Sequence, residues 1–311
     1  MTRERGDSLR PDRQSVVTTG TFDGVHVGHR AIVRYLVERA AEVGGVATVV
    51  TFDPHPREVL TGHPVPLLTT LDERADALEA LGVERFVVVP FSRDVSLLEP
   101  EAYVRDVLVG RVGMREIVIG YDHRFGRKAR GDRALLESLG RDLGFSVDVI
   151  PEQVLGDVTV SSTEVRRQLA EVGDAAQAAR LLGRPYRITG TVVRGDGRGR
   201  TIGVPTANVE PADPRKLVPK TGVYAVRAVL PDGSEAEGMM NVGRRPTFGA
   251  GGARTIEAHL FDVEADLYGR RLAVDVVARL RDERRFDGAD ALVRQLADDA
   301  EAARAVLRHQ E

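Results

Sequence analysis

Short runs rich in valine and isoleucine alternate with amphipathic segments along the first 150 residues of this chain. The runs cover residues 16–19, 47–52, 85–91, 116–120 and 146–150, and the segments between them have helical spacing near 29–43, 71–81, 100–110 and 133–143. Strands that are apolar almost throughout and alternate with helices form a parallel sheet that helices cover on both faces. The pattern therefore predicts an α/β domain with a doubly wound parallel sheet, whose ligands bind at the carboxyl ends of the strands.

The hydrophobic pattern changes in the second half of the chain. Pro185 follows the last of two short predicted helices and marks a boundary, so we predict one domain over residues 14–184 and a second over 185–311. Apolar residues at helical spacing near the C-terminus predict a last helix that covers the second domain. The N-terminal residues are polar and charged, and we expect them to form a poorly ordered arm over 1–13. Strands are predicted over 187–194, 223–230, 236–242, 255–261 and 271–279, and they suit a small antiparallel β-barrel.

The composition limits the classes of function. The 311 residues carry a net charge of −3, which argues against a general nucleic-acid-binding surface. The chain has no cysteine, so disulfides, thiolate zinc sites and cysteine nucleophiles are excluded. No apolar run approaches the roughly 18 residues of a membrane-spanning helix, and the polar N-terminus is unlike a signal peptide. We therefore predict a cytoplasmic protein without nucleic-acid or membrane partners. The sequence leaves its oligomeric state open, with a monomer as one candidate.

The segment 20–29, Gly-Thr-Phe-Asp-Gly-Val-His-Val-Gly-His, follows the first predicted strand and leads into the first predicted helix. In such a turn, backbone N–H groups and the helix dipole converge on an anion, and His26 and His29 can add side-chain donors. The segment therefore predicts a phosphate site. Two alternatives stay open. One is a glycine turn with exposed histidines, and the other is a metal site of the two histidines with Asp53 and His55, which lacks a His-Glu-x-x-His pattern.

Three further segments at predicted strand ends carry groups that can contact a ligand. Hydroxyl residues at 161–163 precede a helix and can cap it, which again favours an anion site. Residues 51–56 contain two prolines and form either a stiffened strand end or a ligand wall. The arginine- and glycine-rich segment 122–133 is either a solvated face or a lid that contacts phosphate.

The strongest feature of the second half is the loop 194–203, which holds four glycines and three arginines and suits the wrapping of a polyphosphate. Thr206 and Asn208 follow it, two residues apart, and offer neutral oxygens to Mg²⁺, which takes few protein ligands beside phosphate and water. Glu257 lies in the middle of a predicted strand. On spacing alone, an outward-facing glutamate is the more favoured interpretation of that position.

Together these segments resemble the bacterial bifunctional riboflavin kinase/FAD synthetase family from about residue 14 to 307. Residues 20–29 are similar to the family's Gly-x-Phe-Asp-Gly-Val-His-x-Gly-His signature, and 51–56 to Thr-Phe-Asp-Pro-His-Pro. Residues 203–208 resemble the kinase motif Gly-Phe-Pro-Thr-Ala-Asn, and Ser161-Ser162-Thr163 with Arg166 resembles the second nucleotide motif. The kinase half of the resemblance continues at 241–243, 246–248, 266–269, Arg281 and 286–287.

The sequence departs from the family pattern at three positions. His123 and Val204 stand where the family has phenylalanine, and Thr159 stands where some members carry arginine. None of the three is a residue to which the resemblance gives a chemical role.

The resemblance implies a role for particular residues. It makes His26, His29 and Glu257 catalytic. In the adenylyltransferase half, it implies nucleotide binding by Gly20, Phe22, Asp23, Gly28, Ser162, Thr163 and Arg166. In the kinase half, it implies nucleotide binding by Gly195, Arg200, Gly203, Thr206 and Asn208, with the last two as Mg²⁺ ligands. Flavin binding falls to Asp122, Arg281 and Phe286.

The same resemblance implies two successive reactions with riboflavin, FMN and ATP as small-molecule substrates and Mg²⁺ as cofactor. The second domain phosphorylates riboflavin to FMN, and the first adenylylates FMN to FAD and releases pyrophosphate. Two alternatives remain. One is a nucleotidyltransferase for another phosphorylated acceptor, with the barrel as an accessory. The other is a flavin-binding storage or regulatory protein whose catalysis has decayed.

Overall fold

The structure is a computed structural model that describes residues 1–120, 124–150, 160–195, 203–244, 254–284 and 286–308. The chain forms two compact units. The first comprises Met1–Val65 and Leu71–Val160, and the second comprises Pro66–Thr70 and Ser161–Glu311. Contacts thus group residues 161–184 with the second unit, and the functional domain to which this segment belongs remains a prediction. In the part of the chain that the structure describes, no helix is long and apolar enough to cross a membrane.

The first unit is built on a parallel sheet, as the sequence predicts, with six strands where the sequence predicts five. Its strands are β1 (Thr2–Arg5), β2 (Ser15–Thr19), β3 (Val46–Asp53), β4 (Arg85–Pro90), β5 (Met114–Ile119) and β6 (Ser146–Val149). Their order in the sheet is β1-β4-β3-β2-β5-β6. The chain moves outward from β2 to β4 on one side and then continues with β5 on the other side of β2. The loop after β2 therefore lies at the topological switch point, where open α/β sheets bind ligands.

Helices cover the sheet on both faces. They are α1 (Val27–Glu42), α2 (Pro56–Thr61), α3 (Leu71–Glu79), α4 (Arg93–Ser96), α5 (Pro100–Ala102), which continues as a π-helix over Tyr103–Val112, and α6 (Arg133–Leu143). Because successive strand residues point to opposite faces, Val16 packs in a core with Leu36 of α1, whereas Val17 packs in a second core with Leu136 of α6. The two cores hold the sheet in the middle layer.

The N-terminal arm is ordered, so the prediction of a poorly ordered segment over 1–13 is wrong. Strand β1 pairs in parallel with β4, and the buried Arg85 donates to both carboxylate oxygens of Glu4 at 2.9 Å. Arg5 at the end of β1 donates to Asp53 at 2.6 Å. This strand is held by backbone pairing and ion pairs rather than by burial of apolar side chains. Its sequence, Thr-Arg-Glu-Arg, therefore lacks the alternation of apolar residues from which a strand is predicted.

The second unit is a closed antiparallel barrel with helices before and after it. It begins with α7 (Ser162–Arg167), followed by a π-helix over Gln168–Val172, and α8 (Ala175–Leu182). The strands are β7 (Tyr186–Val193), β8 (Ala207–Pro211), β9 (Gly222–Val229), β10 (Glu235–Arg244), β11 (Arg254–Leu260) and β12 (Arg271–Arg281), in the order β10-β11-β8-β7-β12-β9. The last helix, α9 (Ala289–Arg308), packs Ala303 and Leu307 against the barrel core.

Five barrel strands and the last helix were predicted from the sequence, and β8 was not. The sequence of β8, Ala-Asn-Val-Glu-Pro, has a single buried large apolar residue, Val209. Pro205 precedes the strand and Pro211 is its last residue. Such a segment has the pattern of a loop. It nevertheless closes the barrel, because it pairs with β7 on one side and β11 on the other.

Candidate active sites

The loop 20–29 leaves the carboxyl end of β2 and enters α1. The backbone N–H of Gly20 donates to Val50 O at 3.0 Å, which keeps the start of the loop beside β3. The Phe22 and Asp23 side chains are buried, at 3% and 1% exposed. They therefore lie beneath the loop, and the Asp23 carboxylate pairs with Arg74 of α3 at 3.4 Å. Their predicted part in nucleotide binding remains a prediction.

His26 caps the N-terminus of α1. Its Nδ1 atom accepts the backbone N–H of His29 at 3.3 Å, and Gly28 lies between them in the first helical turn. The two imidazole rings are stacked, with centroids 3.6 Å apart and planes 16° apart. Because Nδ1 of His26 accepts, the proton of its neutral ring is on Nε2. The structure thus brings both predicted histidines to the helix start, where N–H groups favour an anion.

Burial keeps both imidazoles neutral. It lowers the pKa of His26 to about 4, against the opposing charge of Asp23. Burial also lowers the pKa of His29, as do His26 and Arg74, while Asp23 acts in the opposite direction. A neutral imidazole still donates one N–H, so the site can bind phosphate through hydrogen bonds without a resident positive charge on either ring.

An aromatic group lies at the carboxyl end of the same sheet, and the sequence did not single it out. Tyr103 has its ring centroid 6.3 Å from those of both Phe52 and Phe125, and Phe52 lies 5.4 Å from Phe91. The Tyr103 hydroxyl is hydrogen-bonded at 3.0 Å to that of Thr19, the last residue of β2. Burial raises the pKa of Tyr103 to about 12. These rings come from distant segments, so only the fold reveals that they form one apolar wall.

The predicted second nucleotide motif lies at the start of α7 in the second unit. Ser161 caps this helix by accepting the N–H of Glu164 at 3.2 Å, and Ser162 and Thr163 form its first turn. Arg166 donates to Pro66 O at 2.8 Å, within the same unit. The capping prediction is thus confirmed. Two other predicted residues, Asp122 and Arg200, lie outside the described residues.

Three polar residues form a row across neighbouring barrel strands. Glu257 of β11 is directly opposite Asn208 of β8 and directly opposite Asn241 of β10. Residues opposite each other in antiparallel strands project from the same face of the sheet. The row therefore brings the predicted catalytic carboxylate beside the predicted Asn208 ligand. Its third member, Asn241, lies in a motif of the family resemblance but was not assigned a role.

A cavity of about 660 Å³ opens beside this row. It contains four of the predicted residues, Thr206, Glu257, Arg281 and Phe286. Its other walls are apolar in large part and include Val204, Val223, Met239, Leu292 and Leu296. A second cavity, of about 510 Å³, is lined by Arg194, Asp266 and Tyr268 among others, and the guanidinium of Arg194 lies 5.6 Å from the Tyr268 ring centroid. Thr206 lines both cavities and is therefore where they meet.

Glycine is required at two positions that precede Asn208 in the sequence, at Gly195 because a side chain would have no space and at Gly203 because of its backbone conformation. A Cβ added at Gly195 would lie 2.6 Å from Cγ of Asn208, so only glycine lets the Asn208 amide rest on this backbone. Gly203 has a φ of +78° and faces open space. The first position thus fixes the Asn208 side chain, and the second needs glycine for its left-handed conformation.

Arg281 is held from behind by the last helix. It donates to both carboxylate oxygens of Asp299 in α9, at 2.8 and 2.7 Å, and Asp299 is only 3% exposed. The guanidinium carbon lies 5.8 Å from the centroid of the Phe286 ring. This arrangement fixes one edge of the larger cavity.

The residues fit Mg²⁺ better than a transition metal. Among the residues that the structure describes, there is no group of three or more His, Asp or Glu side chains that could hold a metal ion. Thr206 and Asn208 offer hydroxyl and amide oxygens, which are the hard ligands that Mg²⁺ accepts beside phosphate oxygens and water. The contact of Asn208 with Gly195 fixes the position of its amide in advance.

Comparison with known proteins gives matches in both halves of the chain. A family model described as FAD synthetase matches residues 9–164, and one described as riboflavin kinase matches residues 182–307. A solved structure described as a macrolide-efflux protein from Streptococcus pneumoniae has a TM-score of 0.81 and 31% identity, and the match covers 95% of each chain.

Full-length relatives match across both halves at once. The bifunctional riboflavin kinase/FMN adenylyltransferase of Pseudomonas fluorescens is 41% identical over 96% of this chain and 95% of its own length. The protein of that name from Escherichia coli (strain K12) is 39% identical, over 96% and 94%. The histidine loop lies within the residues matched by the first family model, and the barrel row lies within those matched by the second. The chain therefore belongs to the bifunctional riboflavin kinase/FMN adenylyltransferase family.

Proposed function

We propose that the two activities of this family are divided between the two phosphate-handling sites of the chain. The barrel row and its two cavities phosphorylate riboflavin, and the histidine loop with its aromatic wall adenylylates FMN. The observation that carries the proposal is the chemical difference between the sites. One has a carboxylate between two neutral amides, and the other has two neutral imidazoles at a helix N-terminus.

In the kinase step, the 5′-hydroxyl of riboflavin attacks the γ-phosphorus of ATP, and the bond from that phosphorus to the bridging oxygen breaks. A hydroxyl must lose its proton, and we assign its acceptance to Glu257, which lines the larger cavity and lies between Asn208 and Asn241. We assign the flavin to the 660 Å³ cavity because its walls are largely apolar, and ATP to the 510 Å³ cavity beside Arg194. Their meeting point at Thr206 is then where the γ-phosphate lies.

Thr206 and Asn208 would hold Mg²⁺ together with oxygens of the phosphates. The ion, when bound, neutralises charge on the transferred phosphoryl group. Arg281 and Phe286 form the opposite edge of the flavin cavity, where Asp299 keeps the guanidinium in place. The close approach of Gly195 to the Asn208 amide helps to position that side chain before the substrates arrive.

In the adenylyl-transfer step, a phosphate oxygen of FMN attacks the α-phosphorus of ATP, and pyrophosphate leaves. This oxygen is already ionised at neutral pH, so the step needs no general base. What it needs is positioning and hydrogen-bond donors for the charge that builds up on the α-phosphoryl oxygens. Nε2 of His26, a ring N–H of His29 and the backbone amide of Gly28 at the start of α1 can supply them. Gly20 contributes by its backbone position at the start of the loop, since its own N–H is bonded to Val50 O.

The aromatic wall gives the flavin ring a place at this second site. Phe52 and Phe91 are partly exposed and can contact a planar isoalloxazine, at the sheet edge from which the histidine loop starts, and the buried Tyr103 and Phe125 support Phe52 from behind. Ser162, Thr163 and Arg166 remain our candidates for contacts to the nucleotide, because hydroxyls and N–H groups at a helix start bind anions. Because both steps consume ATP, we place the protein in the cytoplasm.

Two variants test the division of activities. Each is incubated with Mg²⁺ and ATP, either with riboflavin or with FMN, and FMN and FAD are resolved by chromatography. Glu257→Gln is expected to lower FMN formation by about 10²- to 10⁴-fold and to leave FAD formation from added FMN unchanged. His29→Ala is expected to do the reverse.

Glu235→Gln and His63→Ala, both exposed, are the matched controls. Equal loss of both reactions in either test variant would contradict the assignment of separate sites. In the wild-type protein, FAD from FMN without FMN from riboflavin would instead favour a single-activity nucleotidyltransferase. Tight flavin binding without turnover would favour a storage or regulatory protein.

A further inference from the structure

A buried ion pair lies beneath the histidine loop. The Arg74 side chain of α3 is 4% exposed and the Asp23 side chain 1%, and Nη2 of Arg74 lies 3.4 Å from Oδ1 of Asp23. Removing two charges from water is costly, and apolar residues of similar size usually stabilise a core at least as well. Stability alone is therefore a weak reason for this pair, which suggests that it serves the loop above it.

Arg74 contacts a second partner that leads back to the same loop. Its Nη1 donates to the Thr51 hydroxyl at 3.1 Å, and that hydroxyl donates to Thr21 O at 3.0 Å. One guanidinium thus holds the loop at two points, through the carboxylate of Asp23 and through the backbone carbonyl of Thr21. Its planar array of donors allows both contacts at once, which a lysine ammonium on a flexible stem does not reproduce.

The loop needs such restraint because its backbone is strained. Phe22 has a φ of 48° and Val25 a φ of 46°, on either side of Gly24 at 85°. Positive φ is unfavourable for any residue with a Cβ and most of all for a β-branched one, so these conformations persist only where neighbours fix them. Asp23, the residue that Arg74 holds, lies inside this strained run, and His26 follows directly after it.

We propose that Arg74 is a positioning residue for adenylyl transfer. It holds Asp23 and, through Thr51, Thr21, and so keeps the loop in the form that presents His26 and the start of α1 to the phosphates of the nucleotide. Arg74 itself contacts no substrate. The proposal rests on the phosphate-binding role given above to the loop and adds the residue that sets the loop's geometry.

The same pair acts on the histidines electrostatically. The charged and titratable groups that act on the His29 ring are His26 of the same helix turn, Asp23 of the loop and Arg74 of α3. Asp23 favours the protonated ring and Arg74 opposes it. With Arg74 removed, the effect of Asp23 on the His29 ring is no longer opposed by this charge, and the pKa of His29 should be higher than in the wild-type protein.

The test compares Arg74→Met, Arg74→Lys and the double variant Asp23→Asn/Arg74→Met in the full-length protein. Steady-state kinetics of FAD formation from FMN are measured together with thermal unfolding and the NMR titration of the histidine rings. We expect Arg74→Met to lower kcat about 100-fold with little change in the KM for FMN. Arg74→Lys should recover part of this loss, because it can hold Asp23 but not Thr51 as well.

The double variant removes both charges, so it leaves no unpaired buried charge and keeps the experiment decisive if Arg74→Met fails to fold. It should fold and still show the low kcat, because the link from α3 to Thr51 and Thr21 is lost. The exposed Arg105→Met is the matched control and should retain wild-type rates. Riboflavin phosphorylation should be unchanged in all four.

A folded double variant with wild-type kcat would overturn the proposal, and so would an Arg74→Met variant that keeps the wild-type kcat and the wild-type titration of the His29 ring. Failure of the underlying function gives a different result. A wild-type protein that forms no FAD from FMN would refute the adenylyl-transfer site itself, and the positioning role with it. If the wild-type protein forms FAD from FMN and Arg74→Met does so at the same rate, only the positioning role is refuted.

Discussion

Replacing Gly195 by alanine should disable the kinase site although it removes no functional side chain. The added Cβ would lie 2.6 Å from Cγ of Asn208, whereas real Cβ contacts closer than 3.0 Å are essentially absent and ordinary ones begin at 3.4 Å. Nδ2 of Asn208 would lie closer still, so the amide must move by about 0.8 to 1.2 Å. Mg²⁺ requires near-ideal ligand distances, so a shift of this size would remove the amide ligand that we propose for it.

The expected cost is about 100-fold in kcat for riboflavin phosphorylation, because a misplacement approaching 1 Å has effects of that order. This corresponds to about 2.7 kcal/mol of transition-state stabilisation. The assay measures FMN formation at saturating riboflavin and ATP, with FAD formation from added FMN as the internal reference. Gly288→Ala is the matched control, since a Cβ added there meets nothing within 4 Å.

A double-mutant cycle isolates the mechanism. If Gly195→Ala acts by displacing the Asn208 amide, it should add little to the loss already caused by Asn208→Ala, because the amide is then absent. Losses that multiply in the double variant would refute this reasoning. So would a Gly195→Ala enzyme with the wild-type rate.

Two further results are expected. Asp299→Asn should lower the free energy of unfolding of the barrel unit by about 2 kcal/mol and raise the KM for riboflavin, because Arg281 loses a charged hydrogen-bond partner in a buried setting. Chemical denaturation and kinase assays measure both effects, with the exposed Asp298→Asn as the control. An unchanged KM would contradict the assignment of Arg281 to the flavin cavity. Burial disfavours the imidazolium form of His26, so its ring should titrate near pH 4 in the free wild-type protein. The NMR signal of this ring, identified by its loss in His26→Asn, should therefore keep the position of the neutral form from pH 8 down to about pH 5. Titration near pH 6.5 would show that the ring is solvated.

The parts of the fold that the sequence predicted are those with a repeated pattern of apolar residues. Strands of the parallel sheet, their helices and five barrel strands follow from such patterns. Strands β1 and β8 bury few apolar side chains and are held by backbone pairing with neighbours that are distant in the sequence. A pattern within a segment carries no information about such pairing, so both strands were missed.

The candidate sites divide in the same way. The histidine loop was predicted from its residues alone, because glycines and histidines at a helix start are a local signal. Glu257 could not be assigned from spacing, since its partners Asn208 and Asn241 lie on other strands and only the register of the barrel brings them side by side. The aromatic wall and the Arg74–Asp23 pair are likewise formed by long-range packing.

The two sites differ as their nucleophiles require. Riboflavin offers a hydroxyl, which stays protonated at neutral pH, so a phosphoryl-transfer site for it needs a group that accepts the proton. We propose Glu257, which lies between two amides, for this role. FMN offers an oxygen that is already anionic, so a carboxylate facing it would repel it. At the histidine loop, the Asp23 carboxylate is turned into the core and paired with Arg74, and burial keeps the imidazoles at the helix start neutral. On our assignment of the sites, the order of the two reactions follows from these charges, because the product of the kinase site is an anion and the histidine loop offers it neutral donors.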